Sequence, residues 1–169
     1  MTKPWPVPDF DPAAPADVTA RAVLAVRAGE LLSYDPVFAD AKAVAALHNA
    51  RIAAKRLRYT LELMPEVFGE DGDAALAEVE ALQEDLGIIH DRDVLIATIE
   101  RRLGTLIDEH GEDTDAVRAS LETLLTRVQQ ERQARQRAVA AQWKRIASGD
   151  FRARLQRLAG DHPIPDALA

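Results

Sequence analysis

The sequence contains no cysteine, so neither a disulfide framework nor a thiolate metal site is open to it, and a reducing cytoplasm fits. No stretch approaches the ~18 consecutive apolar residues of a membrane span, so no membrane partner is expected. The N-terminus lacks the apolar segment of a signal peptide. Alternating β-branched residues are absent, which argues against a sheet. There is no P-loop, no Gly-rich phosphate turn and no Ser/His/Asp set, so phosphoryl-transfer catalysis finds no support outside the His/Asp pattern taken up below. The most informative absence is local. Residues 41–61 hold five Lys or Arg and not one acid, in a chain whose net charge is −7.

What the sequence does have is long Ala/Leu/Glu/Arg runs separated by Gly and Pro. These predict an all-α protein, and 169 residues suit one domain with its own core. The expected helices run over 16–33, 40–68, 73–104 and 114–147, with a turn at His110-Gly111-Glu112-Asp113 and a short closing helix over 150–159. Long elements with short connections imply an antiparallel four-helix bundle over residues 16–160. Residues 1–15 form a Pro-rich N-terminal arm, extended and either tail-like or docked by Trp5 and Phe10. Residues 161–169 form a C-terminal tail.

Charge is segregated along the chain. Residues 62–122 carry eighteen acids against four Lys or Arg, and residues 127–157 carry nine Lys or Arg against two acids. A negative net charge argues against general attraction of anions but permits a local cationic site. The second helix is where that site falls. Leu47, Ala50, Ala54, Leu57, Leu61 and Met64 repeat at helical spacing and form a seam facing the core. His48, Arg51, Lys55 and Arg58 repeat one residue out of step, as a second stripe beside the seam, while Arg56 points to the opposite flank. Ile52, Tyr59 and Leu63 form an apolar edge on the stripe's other side. Like charges one turn apart repel by a few tenths of a kcal/mol. The stripe therefore needs either acids from another helix or an anionic ligand.

Two other helices offer partners. In the third, Leu82, Leu86, Ile89, Asp93 and Ile96 form one line, on which an unpaired Asp93 would cost several kcal/mol. Asp93, with help from Asp91, is expected to orient the arginines of the second helix. In the fourth, Val128, Arg132, Arg135, Val139, Trp143 and Ile146 share a line, so Arg132 and Arg135 either reach the same region or extend along the apolar surface to solvent.

HNARIAAKRLRYTLEL, residues 48–63, resembles the signature of the CHAD domain, the conserved-histidine α-helical domain, roughly H-x-x-R-hydrophobic-x-x-[KR]-[KR]-L-R. LQEDLGIIHDRDVLIATIE resembles its second motif, roughly L-G-x-x-R-D-x-D-V. The resemblance extends over about residues 17–159. It implies a non-catalytic binding module for inorganic polyphosphate, with His48, Arg51, Lys55, Arg56 and Arg58 in the basic motif and Asp91 and Asp93 as the second motif's acids. Arg132 and Arg135 are expected to add to the phosphate-binding set. Neither a cofactor, a metal nor a catalytic residue is implied. The sequence departs from the pattern at His90, where Arg is usual and where a lone imidazole is only partly charged at neutral pH. It also holds one copy of a motif set that the family usually pairs across two bundles. A homodimer is therefore expected, with Ile52, Tyr59 and Leu63 as its contact. A triphosphate- or polyphosphate-processing enzyme is a further partner, and polyphosphate granules a further location, in keeping with the resemblance.

Two alternatives compete. His48, His90-Asp91 and Asp115 loosely resemble the pattern of helical metal-dependent phosphohydrolases, although His-Asp pairs are common and N-capping accounts for Asp115. A nucleic-acid backbone would also suit a basic stripe, but stacking aromatics are few and the net charge is unfavourable.

Overall fold

The computed structural model describes residues 3–8, 11–40, 42–106 and 112–166, and Phe10, His110 and Gly111 lie outside them. Among these residues the regular structure is entirely helical: α1 (Ala16–Leu32), a 3₁₀ turn (Asp35–Ala39), α2 (Val44–Leu63), α3 (Pro65–Thr105), α4 (Glu112–Ser148) and α5 (Phe151–Ala159). The helices pack as a bundle in which α2 lies on α3, α3 on α4, α1 on α2, and α5 closes against α1 and α3. No helix among the described residues is long and apolar enough to cross a membrane.

The second helix is shorter than its composition predicts, at both ends. Upstream, Pro36 enters the 3₁₀ turn, and the Asp40 carboxylate then accepts the Lys42 backbone N–H at 2.8 Å. Such an Asx turn delays the helix. Downstream, Met64 leaves the helical region at φ −138° because Pro65 follows it, and Pro65 serves as the first residue of α3. Gly69 breaks the helical run where the second helix was expected to end. At φ 55° and ψ −154° it is non-helical and kinks α3 between a short opening segment and the long remainder, a backbone conformation that glycine enters without penalty. The fourth helix starts two residues early, at Glu112, and takes in Asp113.

The seam on α2 is buried as its spacing requires: Leu47, Ala50, Ala54, Leu57 and Leu61 are no more than 2 % exposed, which fixes the helix's rotation about its axis. Leu24 and Leu31 of α1, Leu82, Leu86 and Ile89 of α3, and Val139 and Trp143 of α4 complete the core. The Trp143 indole stacks on Phe38 with centroids 4.2 Å apart and donates to Asp35 at 2.6 Å. Gln136 donates to the Phe38 carbonyl at 3.0 Å, so α4 holds the 3₁₀ turn by three contacts. After α5 the chain returns to α1, burying Ile164 and setting Pro165 so close to Gly29 that a Cβ there would collide.

Helix lengths are unequal. At 1.5 Å per residue α2 is about 30 Å long, whereas α3 beyond Gly69 and α4 each reach about 55 Å. The antiparallel register sets His48 beside His90 and Arg51 beside Gly87. It brings Val44, where α2 begins, about level with Val94. The rest of α3 and the facing part of α4 continue as a two-helix hairpin, with Ile99, Leu106 and Val128 buried.

Candidate anion site on helix α2

With the seam turned inward, His48, Arg51, Lys55 and Arg58 occupy the neighbouring strip of α2, all half-buried. Their surroundings differ. Arg51 leans onto α3, where its Nε lies 3.7 Å from the position a Cβ at Gly87 would take. That Nε is buried and has no hydrogen-bond partner. Lys55 Nζ lies 5.4 Å from the centroid of the Tyr59 ring, and the Arg58 guanidinium lies 4.9 Å from it. Tyr59, assigned by its spacing to an apolar edge, therefore gathers two cations at contacts of about 0.5–1 kcal/mol each. Neither Arg51 nor Lys55 forms an ion pair with any carboxylate among the described residues. Arg58 is partly neutralised by Glu62, 3.3 Å away and one turn along.

The other predicted cations are committed elsewhere. Arg56, on the opposite flank as expected, is bound to Glu30 of α1, a carboxylate only 2 % exposed that also takes Arg27 at 2.8 Å. Arg56 thus joins α1 to α2 instead of standing in the stripe. Arg132 is buried and donates from Nε to Asp93 at 2.8 Å. This corrects the expectation for both residues: Asp93 finds its partner on α4, not on α2, and Arg132 spans α3 and α4 rather than reaching the stripe. Arg135 donates to Asp85 at 2.8 Å. Asp91 is exposed and makes no ion pair with the motif's cations.

Sequence reasoning missed three participants. Glu30 had a signal, an acid one helical turn from buried Val26, with Arg27 on the same flank three residues before it. Asp85 was one acid in an acid-rich helix, and nothing local marked it. The third is the contact between His48 and His90, whose Nδ1 atoms are 3.3 Å apart. Burial lowers the pKa of His48 below the ordinary histidine value, and the charges of His90 and Arg51 lower it further. No group of three or more His, Asp or Glu side chains is gathered at metal-binding distance among the described residues. His48, His90, Asp91 and Asp115 thus do not assemble into the ligand set of a phosphohydrolase.

A helical bundle carrying a half-buried, incompletely neutralised basic helix is the class these features define. The chain belongs to the CHAD domain family: the family model matches residues 3–100, which span α1, α2 and most of α3. Arg132 and Arg135 lie beyond the matched residues. No curated protein and no solved structure matches the chain.

Proposed function

We propose that the protein is a non-catalytic binding module for inorganic polyphosphate. Arg51 and Lys55 form the centre of the site, with His48 and Arg58 at its ends. One observation carries this reading: two cations a helical turn apart, Arg51 and Lys55, have no carboxylate partner among the described residues. An extended phosphate chain supplies negative charge at intervals that match cations ~5–6 Å apart. The Arg51 guanidinium offers paired donors to phosphate oxygens, and Lys55 acts as a point charge. Membership in a family linked to polyphosphate binding in general supports the same reading.

We further propose that two chains associate to bring two such helices to one groove, through the exposed Tyr59 and Leu63 beside the stripe. Light scattering at micromolar concentration tests this directly, and a monomer would remove it.

The binding test is calorimetric titration with long-chain polyphosphate, with sulfate and DNA as competitors, in wild type and in Arg51→Ala/Lys55→Ala. The expected result is binding that weakens with salt, resists DNA at equal phosphate concentration, and drops at least tenfold in the double variant with helicity unchanged. Unaltered affinity in that variant, or displacement by DNA, would refute the assignment.

A further inference from the structure

His48 of α2 and His90 of α3 meet with ring centroids 4.8 Å apart, an interplanar angle of 43°, and Nδ1 facing Nδ1. Two imidazoles share such a contact only when one Nδ1 carries hydrogen and the other offers its lone pair. The arrangement accepts no charge or one. A second proton would set two N–H groups against each other and open the contact.

The surroundings decide when the first proton arrives. Neither ring forms an ion pair with a carboxylate among the described residues. On α3, Asp91 is exposed and Asp93 is held by Arg132 of α4. On α1, Glu30 is held by Arg27 and Arg56, and Asp35 of the 3₁₀ turn accepts from the Trp143 indole. On α4, Glu131 pairs with Arg92 and Arg127. Among the described residues, the Lys or Arg charge that acts on His48 is Arg51, one turn away on the same face, and it opposes protonation after burial and His90. A polyanion laid along Arg51 and Lys55 would cancel that opposition and favour charge on the imidazoles beside it.

We propose that His48 and His90 form a proton-accepting element of the anion site, so that polyphosphate binding draws a proton from solvent onto the pair and tightens as pH falls. The inference rests on the reading of α2 as a polyphosphate-binding face. It adds His90 to that site, as the ring whose Nδ1 shares the contact with His48.

The test uses the intact protein and long-chain polyphosphate, whose titrating terminal phosphates are a negligible fraction of the whole. Calorimetry at pH 6.5 and pH 8, in two buffers of different ionisation enthalpy, counts protons taken up on binding. Uptake of up to one proton per site is expected at the lower pH and almost none at the higher. The matching gain in affinity approaches, without exceeding, about tenfold per pH unit, the limit for one linked proton. His90→Arg should bind at pH 8 as tightly as wild type does at pH 6.5, with a reduced pH response, and His48→Gln/His90→Gln should take up no proton. The wild-type proton count stands even if either variant fails to fold. Tight binding without proton uptake, or uptake that persists in the double variant, overturns this inference and leaves the polyphosphate reading intact. No binding at either pH overturns both.

Discussion

The side chain of Arg51 occupies room that Gly87 leaves open: its Nε lies 3.7 Å from where a Cβ on Gly87 would sit. A methyl group at that distance makes ordinary contact. Gly87→Ala should therefore keep the arginine in place and raise stability by up to ~1 kcal/mol through helix propensity. Gly87→Leu should displace the guanidinium and weaken polyphosphate binding with helicity retained. Circular dichroism melts and binding isotherms on the two variants check both effects. A leucine variant that binds like wild type would show that the glycine has no part in setting Arg51.

Lys55 and Arg56 are adjacent in sequence and should behave oppositely. Lys55→Ala removes a cation without an ion-pair partner, so affinity for polyphosphate should drop several-fold while the unfolding midpoint shifts little. Arg56→Ala leaves Glu30, buried at 2 % exposure, with Arg27 as its remaining ion-pair partner. Loss of one member of a buried charged cluster is expected to cost about 3 kcal/mol. Urea denaturation and calorimetry separate the two outcomes.

The Asp93–Arg132 pair, with side chains 15 % and 8 % exposed, should behave as a buried salt bridge. Asp93→Ala is expected to lose about 3 kcal/mol, and Asp93→Leu/Arg132→Met to recover most of it, because replacing both charges removes the stranded cation. A single-variant loss below ~1 kcal/mol would place the pair among ordinary surface bridges.

Acid should destabilise the fold in two stages. Burial, then His90 and Arg51, lower the folded-state pKa of His48 from the ordinary 6.5. Below about that pH the unfolded chain binds a proton that the folded chain resists. Stability therefore falls as pH drops, until the folded-state value is passed. Glu131 and Asp150 contribute the second stage: hydrogen bonds from Arg127 and Arg157, respectively, hold their pKa values below the ordinary 4.5 and 3.8. Their contributions are present at neutral pH and are lost as pH falls through the folded-state values. Melting temperature followed from pH 8 to pH 3 should show both stages in wild type and only the lower one in His48→Gln.

The α2 seam was legible because five buried apolar residues repeat at helical spacing, and the position of the cations follows from that spacing alone. The helix ends were less so. Pro65 begins a new helix inside a run that composition assigned to one, although the break at Gly69 falls where that run was expected to stop. Asp93's need for a partner could be read from its place on an apolar line. Which helix supplied the arginine depends on the relative height of α3 and α4, and no local pattern records that. The His48–His90 contact joins residues 42 positions apart and rests on the same kind of register.

The hairpin that α3 and α4 extend beyond α2 gives the molecule two regimes of order. Alongside α2, each helix is enclosed by several neighbours. Past Val94, among the described residues, each packs essentially on the other, and Val117 and Leu124 of α4 remain 46 % and 40 % exposed. Backbone amides in this outlying arm should exchange with solvent through local opening, ahead of those around His48 and Arg51. Deuterium uptake would then sort the chain into an early-labelling spur and a slow-labelling body, with the boundary near the Asp93–Arg132 crossing.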